Sequence, residues 1–177
     1  TTEVGPRLAG SEADARAVTP TLSEAAERYI AEHVRENLRP GSVDLYEGTF
    51  KRLPEALKTK KLCDVTAADI GALMRSMKDR KQGANGIHAI LRAFFSWCLA
   101  PDVRLLPAGT PNPAEGVKRY PAVRRSFVFE GDQLYRFNEA LNAAEATMWP
   151  PAIGAMRLLL FTGMRREEVL NLKWNEV

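Results

Sequence analysis

Between Thr21 and Cys98 the apolar residues return every three or four positions, in short runs separated by residues that stop helices. That pattern fits amphipathic helices sharing one core. Leu22, Ala25, Ala26, Tyr29, Ile30 and His33 fall on one face of a helix reaching about Leu38. Thr21 and Glu24 have the spacing of a capping box at its start, and Pro40 and Gly41 break the chain after it. A second helix is expected from Ser42, an N-cap candidate, with Val43, Tyr46, Phe50, Leu53 and Leu57 inward and Pro54 ending or kinking it. Thr66 and Asp69 repeat the capping-box spacing ahead of Ile70, Leu73, Met74 and Met77. After a basic turn, Ile87, Ile90, Leu91, Phe94, Trp97 and Cys98 form a fourth stripe, stopped by Pro101. The expectation is an all-α, four-helix domain over residues 21–104.

The flanks read differently. Residues 1–20 are rich in Ala, Glu, Gly and Pro without apolar periodicity and are expected to be a flexible leader. Over residues 105–129, Pro107, Pro111, Pro113 and Pro121 punctuate a stretch carrying Lys118, Arg119, Arg124 and Arg125, which predicts an extended basic linker. Residues 130–177 return to helices. One starts near Asp132 with Leu134, Phe137 and Leu141 inward, and a second covers Ala152 to Phe161 behind Pro150 and Pro151, with Gly163 as C-cap. A short third runs from Arg166 to about Leu172. The chain opens on Thr rather than Met and ends just after an apolar run, so a fragment is expected.

Charge is informative through its placement rather than its sum. Lys and Arg number 25 against 22 Asp and Glu, a net +3 that does not by itself demand a polyanionic partner. No stretch approaches the roughly 20 apolar residues of a membrane span. Cys63 and Cys98 each sit in apolar surroundings, which reads as buried thiols and a reducing, cytoplasmic setting. His88 has no histidine or cysteine at metal-ligand spacing, and His33 lies on the apolar stripe, so no metal site is expected. Gly83 and Gly86 form no phosphate-cradling loop, and no cofactor or small-molecule substrate is expected.

The segment with the most chemical content runs from Leu158 to Val177: an apolar helix, the turn Thr162-Gly163-Met164, and an amphipathic helix opened by Arg165. An arginine there lies beside unpaired backbone N–H groups at a positive dipole end, where phosphate is welcome. Glu168, three residues on, shares its face and can hold it. Arg and Glu three apart are more commonly a plain helix ion pair.

The wider pattern Thr162-Gly163-x-Arg165-x-x-Glu168-x-x-x-Leu172-x-Trp174 resembles the first box of the tyrosine recombinase, or phage integrase, family, and that context favours the functional reading. The resemblance extends upstream over the helix from Thr21, the 38–42 break, the helix start at 64–69, Pro111-Asn112-Pro113 and the basic 118–125 stretch. It implies a SAM-like core-binding domain, an interdomain connector and the first helices of a catalytic domain that is mixed α/β in the family. It also implies double-stranded DNA as partner, attachment-site recognition, a tetrameric parent and prophage integration or excision, with no metal or nucleotide. Arg165, not Arg166, takes the phosphate-contacting position, with Glu168 in support. The family's nucleophilic tyrosine, second arginine, lysine and histidines lie further along than Val177. Tyr29, Tyr46, Tyr120 and Tyr135 all precede the box, so the chain as it stands is expected to bind DNA without cutting it.

By the same resemblance, helices two and four enter the major groove. Lys81, Gln82, Asn85, His88 and Arg92 then line the start and outer face of helix four, where amides can read adenine edges and cations can reach phosphates. Arg39, Ser42 and Lys51 are similar on helix two. A solvated polar face explains all of these equally well from spacing alone, and Ser42 fits a simple cap. Phe94, Phe95 and Trp97 are expected in the core rather than stacked on bases. Two further readings stand: a non-enzymatic helical DNA-binding or regulatory protein, and a helical protein-interaction module.

Overall fold

The structure, a computed structural model, describes residues 19–122, 127–173 and 175. The leader through residue 18, Arg124, Arg125 and Trp174 lie outside the described residues. The described residues are helical, and their β content is one isolated antiparallel bridge between Thr21 and Lys61. The chain divides into two units, Thr1–Val123 and Arg124–Val177.

In the first unit, α1 (Leu22–Tyr29) passes without a break through a π-helical turn (Ile30–Val34) into a last turn (Arg35–Asn37). The capping box forms as the spacing predicts: Glu24 N–H donates to the Thr21 hydroxyl at 3.2 Å, and Thr21 N–H donates to the Glu24 carboxylate at 2.7 Å. The π turn corrects the expected stripe. It widens the helix by one residue, so Tyr29 and Val34, five apart, both reach the core, while His33 is half-buried and stacks on Tyr29 with centroids 5.4 Å apart. The following helix, α2 (Pro40–Lys51), begins two residues before Ser42, because Pro40 occupies the first helical position behind Arg39. Ser42 is therefore not the N-cap; its N–H donates to the Arg39 carbonyl at 2.8 Å.

Pro54 ends α2 as expected and opens a short additional helix, α3 (Glu55–Lys58). A single 3₁₀ turn (Leu62–Asp64) leads to α4 (Ala67–Ser76), whose Thr66–Asp69 capping box also forms. Lys60 reaches the same Asp69 carboxylate at 2.6 Å. A 3₁₀ turn (Lys78–Arg80) precedes the long α5 (Lys81–Cys98), which contacts α1, α2 and α4. Its Ile90, Leu91, Phe94, Phe95 and Cys98 are buried.

Tyr29 is the hub of the core. It is 2% exposed and lies 5.1–6.2 Å, centroid to centroid, from Tyr46, Phe50, Phe94 and Trp97, mostly in tilted or edge-on geometry. Burial holds its phenol above the ordinary range, and its hydroxyl shares a hydrogen bond with Tyr46. Phe94 and Phe95 are core residues, as the spacing predicts. The cysteines separate: Cys98 is buried, its thiol pushed up to about 12 by desolvation, whereas Cys63 is exposed, against expectation, because it sits on the outside of the 3₁₀ turn.

Residues 105–122 differ from an extended linker. Leu106, Asn112 and Ala114 are buried, and the stretch belongs to the first unit. Unit two contains α6 (Asp132–Ala144), α7 (Pro150–Thr162) and α8 (Arg166–Leu170). Leu141, Ile153 and Val169 are buried there, and Arg157 ties α7 to α6 through Asn142 at 2.8 Å and Glu145 at 2.6 Å. Leu134, expected inward, is exposed, lining an open cleft with Leu160 and Phe161 of α7. No helix among the described residues is long and apolar enough to cross a membrane.

Two outcomes follow for stability. Tyr29→Ala is expected to destabilise the first unit by about 3–5 kcal/mol, measured by urea denaturation. The Asp69 carboxyl is held below its ordinary value of 3.8, first by Lys60 and then by the Thr66 N–H. A lowered native pKa means that its stabilisation is full above the unfolded value and disappears as pH falls through the native one. Acid melting of Lys60→Met, which removes the first of these causes, is therefore expected to show a flatter loss of stability below about pH 4, together with a neutral-pH cost of up to about 1 kcal/mol.

Candidate nucleic-acid interface

The polar residues singled out on α5 divide into two groups. Lys81 and Gln82 are exposed in its first turn, beside Lys78 and Arg80, and no ion pair with a described residue neutralises those three cations. Asn85 and His88 point instead into the protein. Asn85 donates its amide to the Tyr120 carbonyl and accepts from the Tyr120 N–H, both at 2.9 Å. Both functions of its side chain are thereby occupied by backbone. His88 does not line an outer face: it is 4% exposed and its Nε2 donates to the Ala114 carbonyl at 2.8 Å, while Nδ1 has no partner among the described residues. A carbonyl partner fixes the proton on Nε2. Arg92 is exposed and pairs with Glu115 at 3.2 Å.

Asn112, Ala114 and Tyr120 complete this contact, and none was a candidate from spacing. The Asn112 amide donates to the Arg92 carbonyl and the Ser96 hydroxyl, both at 3.0 Å, and its oxygen accepts from the Ala114 N–H at 3.0 Å. The last bond is an Asx turn, the local arrangement that Asn favours between two prolines. The Tyr120 hydroxyl donates to the Met74 carbonyl at 3.0 Å, tying the segment to the end of α4. The available signal was Pro111-Asn112-Pro113 itself, because the flanking prolines have no N–H and Asn112 is the one residue of the three with hydrogen-bond donors.

This arrangement leaves Lys118 and Arg119 exposed on a segment pinned at both ends, at Ala114 and Tyr120. Arg119 borders a shallow cleft of about 310 Å³ shared with His88, Arg92 and Ser96. On α2, Arg39 and Lys51 are exposed at opposite ends and Ser42 is half-buried in the first turn. Arg124 and Arg125 fall outside the described residues.

In unit two the turn and helix form as the sequence predicts. Gly163 takes the left-handed conformation, φ 66°, as C-cap of α7. Arg165 is the extended residue preceding α8; its N–H donates to Glu168 at 2.8 Å and its guanidinium meets the same carboxylate at 3.1 Å. An arginine side chain has no acceptor, so only the return half of a capping box exists here. The guanidinium is 87% exposed, so this pair orients Arg165 more than it stabilises the fold.

No family model matches this sequence, and no curated protein matches it. Among solved structures, the crystal structure of a lambda integrase dimer bound to a COC′ core site is similar to 98% of this chain, with a TM-score of 0.74 and 19% identity. The chain shares its fold with the matched part of that integrase. The chain spans about half of that integrase's length, 47% of it. Within the integrase fold, the exposed candidates gathered around α5 are Lys81, Gln82, Arg92, Lys118 and Arg119, whereas Asn85 and His88 serve the packing of residues 112–120. No group of acidic, histidine or cysteine side chains among the described residues is arranged to hold a metal ion.

Asn112→Ala removes two donated bonds and leaves the Ala114 N–H buried without its acceptor. A loss of about 1–3 kcal/mol is expected in chemical denaturation, with a lowered thermal midpoint.

Proposed function

We propose that this chain is the DNA-binding portion of a site-specific tyrosine recombinase, an integrase whose parent breaks and rejoins DNA during integration or excision. The observation that carries the reading is a coincidence: the fold likeness runs through both units, and the second contains Arg165 and Glu168 in the spacing of the family's first box. The neighbour is a dimer on a DNA core site. By extension, the parent here works on attachment-site-like duplex DNA as a tetramer, in the cytoplasm, as a prophage recombinase does.

The chemistry is consistent with that role. Arg39, Lys51, Lys81, Lys118 and Arg119 are exposed cations without an ion-pair partner among the described residues, the kind of side chain that displaces counterions from phosphates. Attack on a phosphodiester accumulates negative charge on the non-bridging oxygens. The Arg165 guanidinium, pre-oriented by Glu168, is suited to meet that charge with paired hydrogen bonds.

Tyr29 is buried and bonded to Tyr46, and the Tyr120 hydroxyl is committed to the Met74 carbonyl, so neither is placed as a nucleophile. Fluorescence anisotropy against duplex DNA across a salt series tests the reading. Affinity is expected to fall steeply with salt, with the log–log slope reduced by about one each in Lys51→Ala and Lys81→Ala. Salt-insensitive binding, or none to any duplex at low salt, would exclude it.

A further inference from the structure

We propose that residues 112–120 are a rigid part of the DNA-binding surface rather than a tether, and that Asn85, Asn112 and Tyr120 are positioning residues. They hold Lys118 and Arg119 in fixed relation to the cations of α5, forming one preformed surface for duplex phosphates. The proposal rests on the DNA-binding reading above and adds the source of its geometry.

The contact is unusually complete for a proline-punctuated segment. Asn85 satisfies both backbone groups of Tyr120; Asn112 bonds the α5 backbone, Ser96 and its own turn; His88 takes the Ala114 carbonyl; and the Tyr120 hydroxyl reaches α4. These bonds bracket Lys118 and Arg119 between anchors at Ala114 and Tyr120. Pro113 and Pro121 restrict the backbone at both ends of the stretch.

Electrostatics adds a second argument. Glu115 compensates Arg92, so Arg119 is the cation of the shared cleft without an ion-pair partner among the described residues, with Lys118 next to it. Lys78 and Arg80 in the preceding 3₁₀ turn, and Lys81 in the first turn of α5, come just ahead of the helical turn that carries Asn85, the residue bonded to Tyr120. A charge already held in place loses less conformational entropy on meeting phosphate than one on a free coil. The same bonds argue against Asn85 as a reader of bases, since its donor and its acceptor are both engaged.

The test uses the full chain, a fluorescein-labelled duplex and a salt series, with Asn85→Ala, Lys118→Ala/Arg119→Ala, their combination, and Tyr120→Phe as the milder release. Asn85→Ala is expected to speed hydrogen exchange at the Tyr120 amide by roughly tenfold or more. It is also expected to weaken duplex binding several-fold and to lower the salt slope by up to about two, as the double charge removal does. The combined variant is expected to lose little more than either alone, because both act through the same cations. Tyr120→Phe is expected to shift exchange and slope in the same direction by less.

Additive losses, an unchanged salt slope, or a change confined to preference among duplex sequences would overturn the proposal in favour of direct base contact by Asn85. Fast Tyr120 exchange in the unsubstituted chain would overturn the anchoring. If no duplex binds while Tyr120 exchange is slow and depends on Asn85, the DNA reading is what failed, and the purpose assigned to the anchoring fails with it.

Discussion

Helix α5 has to serve two surfaces at once, and the first unit depends on its doing so. One face inserts Ile90, Leu91, Phe94, Phe95 and Cys98 among α1, α2 and α4, where Tyr29 gathers the rings of four helical turns. The other face carries Asn85, whose amide is spent on the backbone of Tyr120, and His88, whose Nε2 donates to the Ala114 carbonyl. A buried carbonyl or N–H without a partner costs as much as several exposed ion pairs return. The segment can therefore lie against the helix only because each of its inward-facing groups finds a bond there.

Under the proposed function, that arrangement bears on how a chain of modest net charge would meet a polyanion. A net +3 produces little long-range attraction, so affinity has to come from where cations are held. Pinning residues 112–120 places Lys118 and Arg119 against the same helix that exposes Lys81, whereas an untethered stretch would spread those charges over many conformations. Phosphate contacts of this kind fix position on a duplex but read no sequence. Under the proposed function, the exposed amide of Gln82, rather than that of Asn85, is the one on α5 left available for base edges.

The second unit is built on a thinner core. Leu141, Ile153 and Val169 are buried, while Tyr135, Trp149, Phe161 and Leu170 stand largely in solvent. Local devices shape it instead: prolines in the first turn of α7, a left-handed glycine at its end, and a Glu168 carboxylate that both closes the N-terminus of α8 and aims Arg165. An exposed arginine paired three residues on contributes little to stability, which leaves orientation as the physical meaning of the pair.

Much of the fold was legible from local chemistry. Thr21–Glu24 and Thr66–Asp69 announce helix starts, Pro40, Pro54 and Pro101 announce breaks, and the stripe from Ile87 to Cys98 identifies a buried face, because caps, breakers and period are properties of neighbouring residues. The turn at Gly163 and the Arg165–Glu168 pair were legible for the same reason. Other features were settled only by packing across the chain. The π turn that brings Val34 inward, the burial of His88, the engagement of Asn85 and the docking of residues 105–122 each depend on a partner in another part of the sequence. A polar side chain on a helix has the same spacing whether it faces water, a phosphate or a distant backbone amide. Sequence alone determined where helices begin, end and turn their apolar sides, and tertiary structure decided which polar groups remained free, since a hydrogen bond joining residues 35 apart, as Asn85 and Tyr120 are, leaves no local pattern.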